Sequence, residues 1–218
     1  MTDLILASQS GDERAVQRLL VAGANTNAPD QYGSIPLHYA IVYGHEAIVQ
    51  LLLAAGANPN VANHVGRTPL HTAVSNGDGV IVPLLLAAGA NPNSADRSGF
   101  TPLHTAAYYG LEAIVQLLLA AGADPTLRDV DNNTPSQIAK TSELRTLLTD
   151  AEYVWTHSWN PEEHPRWTEA QRLERVGALS AFRSGVRHVS VPTGTDTGRR
   201  IVIPELPREF QFAVFEHL

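Results

Sequence analysis

Three histidines, His38, His71 and His104, stand 33 residues apart, and imidazole is the side chain best suited to acid-base work near neutrality or to binding a transition metal. Their setting points elsewhere. Each closes the same phrase, Ile35-Pro36-Leu37-His38, Thr68-Pro69-Leu70-His71 and Thr101-Pro102-Leu103-His104, with a degenerate copy at Thr134-Pro135-Ser136-Gln137. A side chain that recurs at one position of neighbouring units ties down backbone, because buried polar groups must find partners. His157 and His164 lie among tryptophans and prolines, and no second pair completes a ligand set around them. Residues Thr193 to Gly198 are glycine-rich but lack the lysine and the strand-to-helix setting of a phosphate cradle. There is no nucleophile elbow or dinucleotide fingerprint. The chain has no cysteine, which excludes thiolate ligands, a thiol nucleophile and a disulfide framework. These residues predict no catalytic group, no metal and no cofactor.

A fixed period of 33 residues is the mark of stacked repeats. Within one unit the threonine of the phrase predicts a helix N-cap, and the proline behind it fits the first helical position, where its missing N–H costs nothing. Gly77 is placed to end the first helix in the left-handed conformation, and Gly89 to end the second. Two short antiparallel helices and a turn follow. The Leu-Leu-Leu run of each second helix is too apolar for water and too small to form a core alone, so each unit must bury it against the next. Phrase, period and terminal glycines together resemble the ankyrin repeat. That resemblance implies an all-α solenoid of helix-turn-helix units with short hairpin turns, working as a protein-binding module, with its histidines hydrogen-bonded within and between repeats.

Residues 1 to 32 read as a capping repeat: Gly11, Leu19, Leu20 and Gly23 fall at the right offsets, the Thr-Pro-Leu-His phrase is absent, and the surface is more polar, as a terminal unit requires. Full repeats are expected at about 33 to 65, 66 to 98 and 99 to 131, and a shortened closing repeat at 132 to 150, with Ile138, Ala139, Leu144, Leu147 and Leu148 packing back on the array. Gly79 and Pro83 interrupt the second helix of the third repeat. Pro83 is expected in its first turn, softening the helix without breaking it. Residues 151 to 218 form a separate helical tail that contains all three tryptophans, Trp155, Trp159 and Trp167. A helix is predicted from Thr168 to about Arg183, a loop from Gly185 to Arg200, and a last helix from the Pro204 to Glu209 stretch to Leu218.

Net charge is −7. Residues 1 to 150 carry 7 basic against 13 acidic side chains, so the repeats hold the acidity, which argues against a nucleic-acid partner. The segment Met1 to Gln9 has no basic region and too short an apolar run for a signal peptide, and nothing approaches a membrane span. The expectation is an intracellular, cytoplasmic protein with no membrane partner.

Binding residues are sought where the repeat leaves positions free to vary: the turn tips and the outer end of each first helix, expected to line one concave face. They read Gln31, Tyr32, Ser34, Val42 and Tyr43, then His64, Val65, Arg67, Ser75 and Asn76, then Arg97, Ser98, Phe100, Tyr108 and Tyr109. Tyrosine, phenylalanine and arginine are enriched at interface hot spots. The candidate protein-binding set is therefore Tyr32, Tyr43, His64, Arg67, Arg97, Phe100, Tyr108 and Tyr109. Asn27, Asn60 and Asn93 recur at the turn position that asparaginyl hydroxylases modify in the family this chain resembles. A short polar side chain suited to a turn is the plainer account of them.

The end of the chain, Leu206 to Leu218, resembles the first helix of an F-box on the strength of Leu206, Pro207, Glu209, Val214, Phe215 and Leu218. F-boxes dock on the Skp-type adaptor of cullin-RING ubiquitin ligases, and ankyrin arrays ending in truncated F-box-like segments occur in large DNA viruses. The tryptophans with Pro161-Glu162-Glu163-His164 are similar to a tail on some algal and viral ankyrin proteins. The resemblance implies adaptor binding through Leu206, Pro207, Phe210, Val214, Phe215 and Leu218. Against it stands the reading in which this helix only caps the tail. The function expected is non-catalytic recognition of a protein partner, either as a substrate receptor for a ubiquitin ligase or as a stand-alone scaffold or inhibitory binder.

Overall fold

The computed structural model describes residues 2–156. These fold as helical pairs: α1 (Asp3–Ser10) with α2 (Glu13–Val21), α3 (Pro36–Val42) with α4 (Glu46–Ala54), α5 (Pro69–Ser75) with α6 (Ile81–Ala87), α7 (Pro102–Tyr109) with α8 (Glu112–Ala120), and a closing α9 (Ser142–Thr156). No strand occurs among the described residues. First helices pack on first helices, α1 on α3 on α5 on α7, and second helices form the other layer, with α2 on α4 and α4 on α6. Contact is closer in the first layer than in the second.

Each helix begins where its residues dictate. Pro36, Pro69 and Pro102 open α3, α5 and α7 at the first helical position. Thr101 Oγ1 accepts the His104 N–H at 3.3 Å. Gly77 ends its helix with φ 69° and Gly89 follows α6 with φ 82°, as expected. The core is what the Leu-Leu-Leu runs contribute: Leu52, Leu85 and Leu118 are wholly buried, beside Leu37, Ile48, Leu70, Ile81 and Leu103. A leucine buried this way stabilises by about 1.5–3 kcal/mol, so the array is held chiefly by contacts between units.

The third repeat departs from its neighbours as Gly79 and Pro83 foretold. The stretches Glu46–Ala54 and Glu112–Ala120 are identical in sequence, but α6 begins only at Ile81, two residues late, with Pro83 in its first turn. Asp78 Oδ1 accepts the N–H groups of Val80 and Ile81 at 2.9 and 2.8 Å, which steadies the shortened start. In the closing unit Thr134 to Ile138 forms a turn in place of a first helix. Ala139, Leu144 and Leu148 are buried, whereas Ile138 and Leu147 are half-buried. Helix α9 runs through residue 150 to Thr156 and carries Trp155, 39% exposed, on its last turn. The tail from residue 157 on, with Trp159, Trp167, the helix expected at Thr168 to Arg183, the 185 to 200 loop and Leu206 to Leu218, lies outside the described residues.

Candidate interaction face

The tips are built from an acidic or amide residue that recurs with the same period, Asp30, Asn63, Asp96 and Asp129. Its Oδ1 accepts the N–H two residues on and the N–H four residues on: 2.8 and 2.9 Å at Asp30, 3.1 and 3.0 Å at Asn63, 2.8 and 3.1 Å at Asp96, 3.0 and 2.8 Å at Asp129. Such a side chain mimics a backbone turn. Three residues further on stands Gly33, Gly66 or Gly99, at φ 76°, 83° and 76°. Positive φ is one reason for glycine there, and room is the other: a Cβ on Gly66 would come 2.8 Å from the Arg97 nitrogen, and one on Gly99 2.8 Å from the Asp129 Cα. Asn132 takes this place in the last tip at φ 66°. No described tip stacks beyond it, so a side chain fits.

Successive tips are joined by backbone bonds, His64 N–H to the Tyr32 carbonyl at 2.8 Å, Arg97 to Val65 at 3.1 Å and Val130 to Ser98 at 3.0 Å. Beneath them runs the histidine ladder. Nδ1 of His38, His71 and His104 accepts the N–H of Ile35, Thr68 and Thr101 at 3.3, 3.2 and 3.2 Å. Nε2 therefore carries the proton and donates to the carbonyl of the next repeat, Arg67 at 3.1 Å, Phe100 at 3.0 Å and Asn133 at 3.1 Å. Burial pushes all three imidazoles below their ordinary pKa, against the opposing pull of those carbonyls and of Asp30, Asp96 and Asp129. They are neutral struts, fully occupied. Gln137, at the histidine position of the closing unit, offers Oε1 to the Thr134 N–H at 2.8 Å and so keeps half of the device.

Asn27, Asn60 and Asn93 are likewise committed to structure. Each Oδ1 accepts an N–H of the following repeat, from Asn58, Asn91 and Asp124 at 2.8, 2.7 and 2.7 Å, and each Nδ2 donates to Gly56, Gly89 or Gly122. Both ends of the amide are used between repeats.

The free side of the first helices adjoins the tips. Tyr39, on α3, donates its hydroxyl to Asp30 Oδ2 at 2.6 Å. This bond pushes the phenol up to about 12. For Asp30, burial would raise the carboxyl, but the bonds from Tyr39, Ser34 and Tyr32 outweigh it and hold it below the usual range. Val42 and Tyr43 lie three and four residues after Tyr39, hence on the same helical face, and Ser75, Asn76, Tyr108 and Tyr109 repeat the arrangement on α5 and α7. The Tyr39–Asp30 bond thus ties the tip to the first helix in the second repeat.

Of the candidates on it, Tyr32 is 61% exposed, Tyr108 56%, Tyr43 50% and Tyr109 48%. Tyr108 and Tyr109 meet edge to face, with ring centroids 5.3 Å apart. The Tyr43 hydroxyl accepts from Gln9 Nε2 at 3.0 Å, and its ring stacks on His45. Arg97 is exposed. Arg67 is exposed too, with Nε 3.6 Å from Asp96 Oδ2. Two candidates serve the scaffold as much as the surface. Phe100 is half-buried with its ring 5.5 Å from His104, and the His64 imidazole covers Gly33. The tip residues Asp30, Asn63, Asp96 and Asp129 were not singled out from the sequence, although their period and the glycine three residues on are readable there. Among the described residues no group of three His, Cys, Asp or Glu converges to hold a metal, and no helix is long and apolar enough to cross a membrane.

A pair of helices, a hydrogen-bonded tip and a histidine link to the next unit, repeated every 33 residues, define a helical repeat solenoid. The family profile described as ankyrin repeats (3 copies) matches residues 1–63 and 48–129, more than half of the chain. The chain belongs to the ankyrin-repeat family, whose arrays are generally non-catalytic protein–protein interaction modules. No curated protein matches it.

Proposed function

We propose that this chain binds a protein partner on the surface formed by its tips and first-helix ends, without catalysis. The observation that carries the reading is the exposure of four tyrosines, Tyr32, Tyr43, Tyr108 and Tyr109, and of Arg67 and Arg97, all at tips and first-helix ends. Aromatic and guanidinium side chains are the usual anchors of an interface, and a tyrosine, with two side-chain torsions, is ordered on binding at little cost. Partner capture from cell extract tests it. Wild type retains a partner that a Tyr43→Ala/Tyr109→Ala variant of unchanged helicity loses, and equal retention by both defeats the proposal.

The finer proposal couples that partner to a cullin-RING ligase in the cytoplasm. Its support is the sequence of the tail, where Leu206, Phe210, Val214 and Leu218 recur every four residues from the residue before Pro207, as a helical anchor set into an adaptor groove requires. Val214→Asp abolishes co-purification of a Skp-type adaptor if this holds. If the wild-type protein retains no such adaptor at micromolar concentration, the chain is a stand-alone scaffold or inhibitory binder.

A further inference from the structure

Charge is distributed unevenly between the two sides of the array. Exposed carboxylates Asp12, Glu13, Glu46 and Glu112 sit at the starts of the second helices, the first two balanced by exposed Arg14 and Arg18 on α2, while the carboxylates of the tips are turned to internal work. Asp30 spends both oxygens on Tyr39 and on two backbone N–H groups. Asp96 accepts two N–H groups through Oδ1 and faces Arg67 through Oδ2, with its side chain only 9% exposed. What the tips of the third and fourth repeats leave outward is the Arg97 guanidinium, without an ion pair among the described residues, and the free edge of Arg67. At the end of α7 the hydroxyls of Tyr108 and Tyr109 make no hydrogen bond with described residues, so they too are free to donate. The exposed carboxylate of Asp131, on the last tip, is the exception at one end. The centre of the face is rich in donors and poor in acceptors.

Resting on the protein-recognition reading above, we infer that the partner presents an acidic segment, in which a carboxylate lies against Arg97 and Arg67 and the adjoining apolar side chains lie on Tyr43, Tyr108 and Tyr109. Two guanidiniums favour carboxylate oxygens over a neutral partner because paired N–H donors match their geometry. Glu46 and Glu112, at the starts of α4 and α8, repel the same segment, so charge also bears on which face meets it. A polyphosphate partner would meet the same donors, but the carboxylates elsewhere on the array and the net charge of −7 oppose it at longer range.

The test is selection of a random sixteen-residue peptide display library on the full-length chain, with oligouridylate run in parallel. The enriched pool should carry an excess of Asp and Glu over the input and bind Arg97→Glu about tenfold more weakly than wild type, the size of one lost charge-assisted contact. Arg14→Glu, the same charge change on the exposed start of α2, should leave binding unchanged. Helicity measured on each variant guards against misfolding, and Arg97→Ala gives a second, milder perturbation. A pool without acidic excess that still depends on Tyr43 and Tyr109 overturns the acidic chemistry and leaves protein recognition standing. A pool indifferent to Tyr43, Tyr109 and Arg97 alike, or no enrichment, overturns both. Binding of oligouridylate in place of peptides overturns the inference in favour of nucleic acid.

Discussion

Gly66 and Gly56 have nearly the same backbone, φ 83° and 82°, but different surroundings. At Gly56 an added Cβ meets nothing within 4 Å, whereas at Gly66 it lies 2.8 Å from the Arg97 nitrogen and 3.0 Å from the Asp96 Cα. Substituting alanine at either site incurs the left-handed penalty of about 1–2 kcal/mol and the same relief from a stiffer unfolded chain. Those terms cancel in the difference. Gly66→Ala alone must also push two tips apart, which stretches the Arg97 N–H bond to Val65, worth about 1 kcal/mol, and adds an overpacking cost of about 1–3 kcal/mol. Gly66→Ala is therefore expected to be less stable than Gly56→Ala by about 2 kcal/mol or more. With a urea dependence of about 1–3 kcal/mol per molar, the two unfolding midpoints should separate by on the order of 1 M. Coincident midpoints would show that the tips do not bear on one another, and the account of why glycine recurs there would fail.

Leu85→Ala removes a wholly buried side chain between repeats and should destabilise by about 2–5 kcal/mol in urea titration, with a loss below about 0.5 kcal/mol refuting the helix register. The histidine ladder makes stability depend on pH: with folded values held below the unfolded one of about 6.5, protons bind the unfolded chain first as pH falls, so stability is full above about pH 6.5 and declines below it by up to about 1.4 kcal/mol per pH unit for each histidine. Asp30 and Asp129 are also held low, so what they contribute is lost only as pH falls below the ordinary carboxylate range, and denaturation between pH 7.5 and 5 reads the ladder; a flat profile there would contradict the neutral assignment. Phe100→Ala should lower the melting temperature because the ring packs on His104, while Tyr109→Ala should leave melting nearly unchanged and weaken partner binding by more than about 1 kcal/mol. The reverse order of effects in calorimetry and binding would mean that the two side chains have been assigned to the wrong roles.

Much of the fold was legible because one local rule is applied repeatedly. Threonine, proline and the terminal glycines locate each helix, the period shows that units stack, and Gly79 with Pro83 announced the short α6. The histidines read correctly as scaffold because a group repeated in every unit cannot be specific to one site. What the sequence hid is direction. Phe100 and Tyr109 are both aromatic at variable positions, but the Phe100 ring turns toward His104 and is half-buried, whereas Tyr109 points outward. Nothing in residue type separates them. Arg67 and Arg97 looked alike until the chain was folded, when Asp96, thirty-three residues after Asn63, came to face the first and not the second. The end of the closing unit was hard to place for a related reason: α9 continues past residue 150 without a change in helical character that composition reveals.

The most direct test of the recognition face is hydrogen exchange on the full-length chain with and without its captured partner. Added protection is expected at residues 31 to 43, 64 to 76 and 97 to 109, which carry the tips and first helices, with α2, α4 and α8 unchanged. Protection confined to α4 and α8, with the tips exchanging as in the free protein, would place the partner on the opposite side and contradict the account.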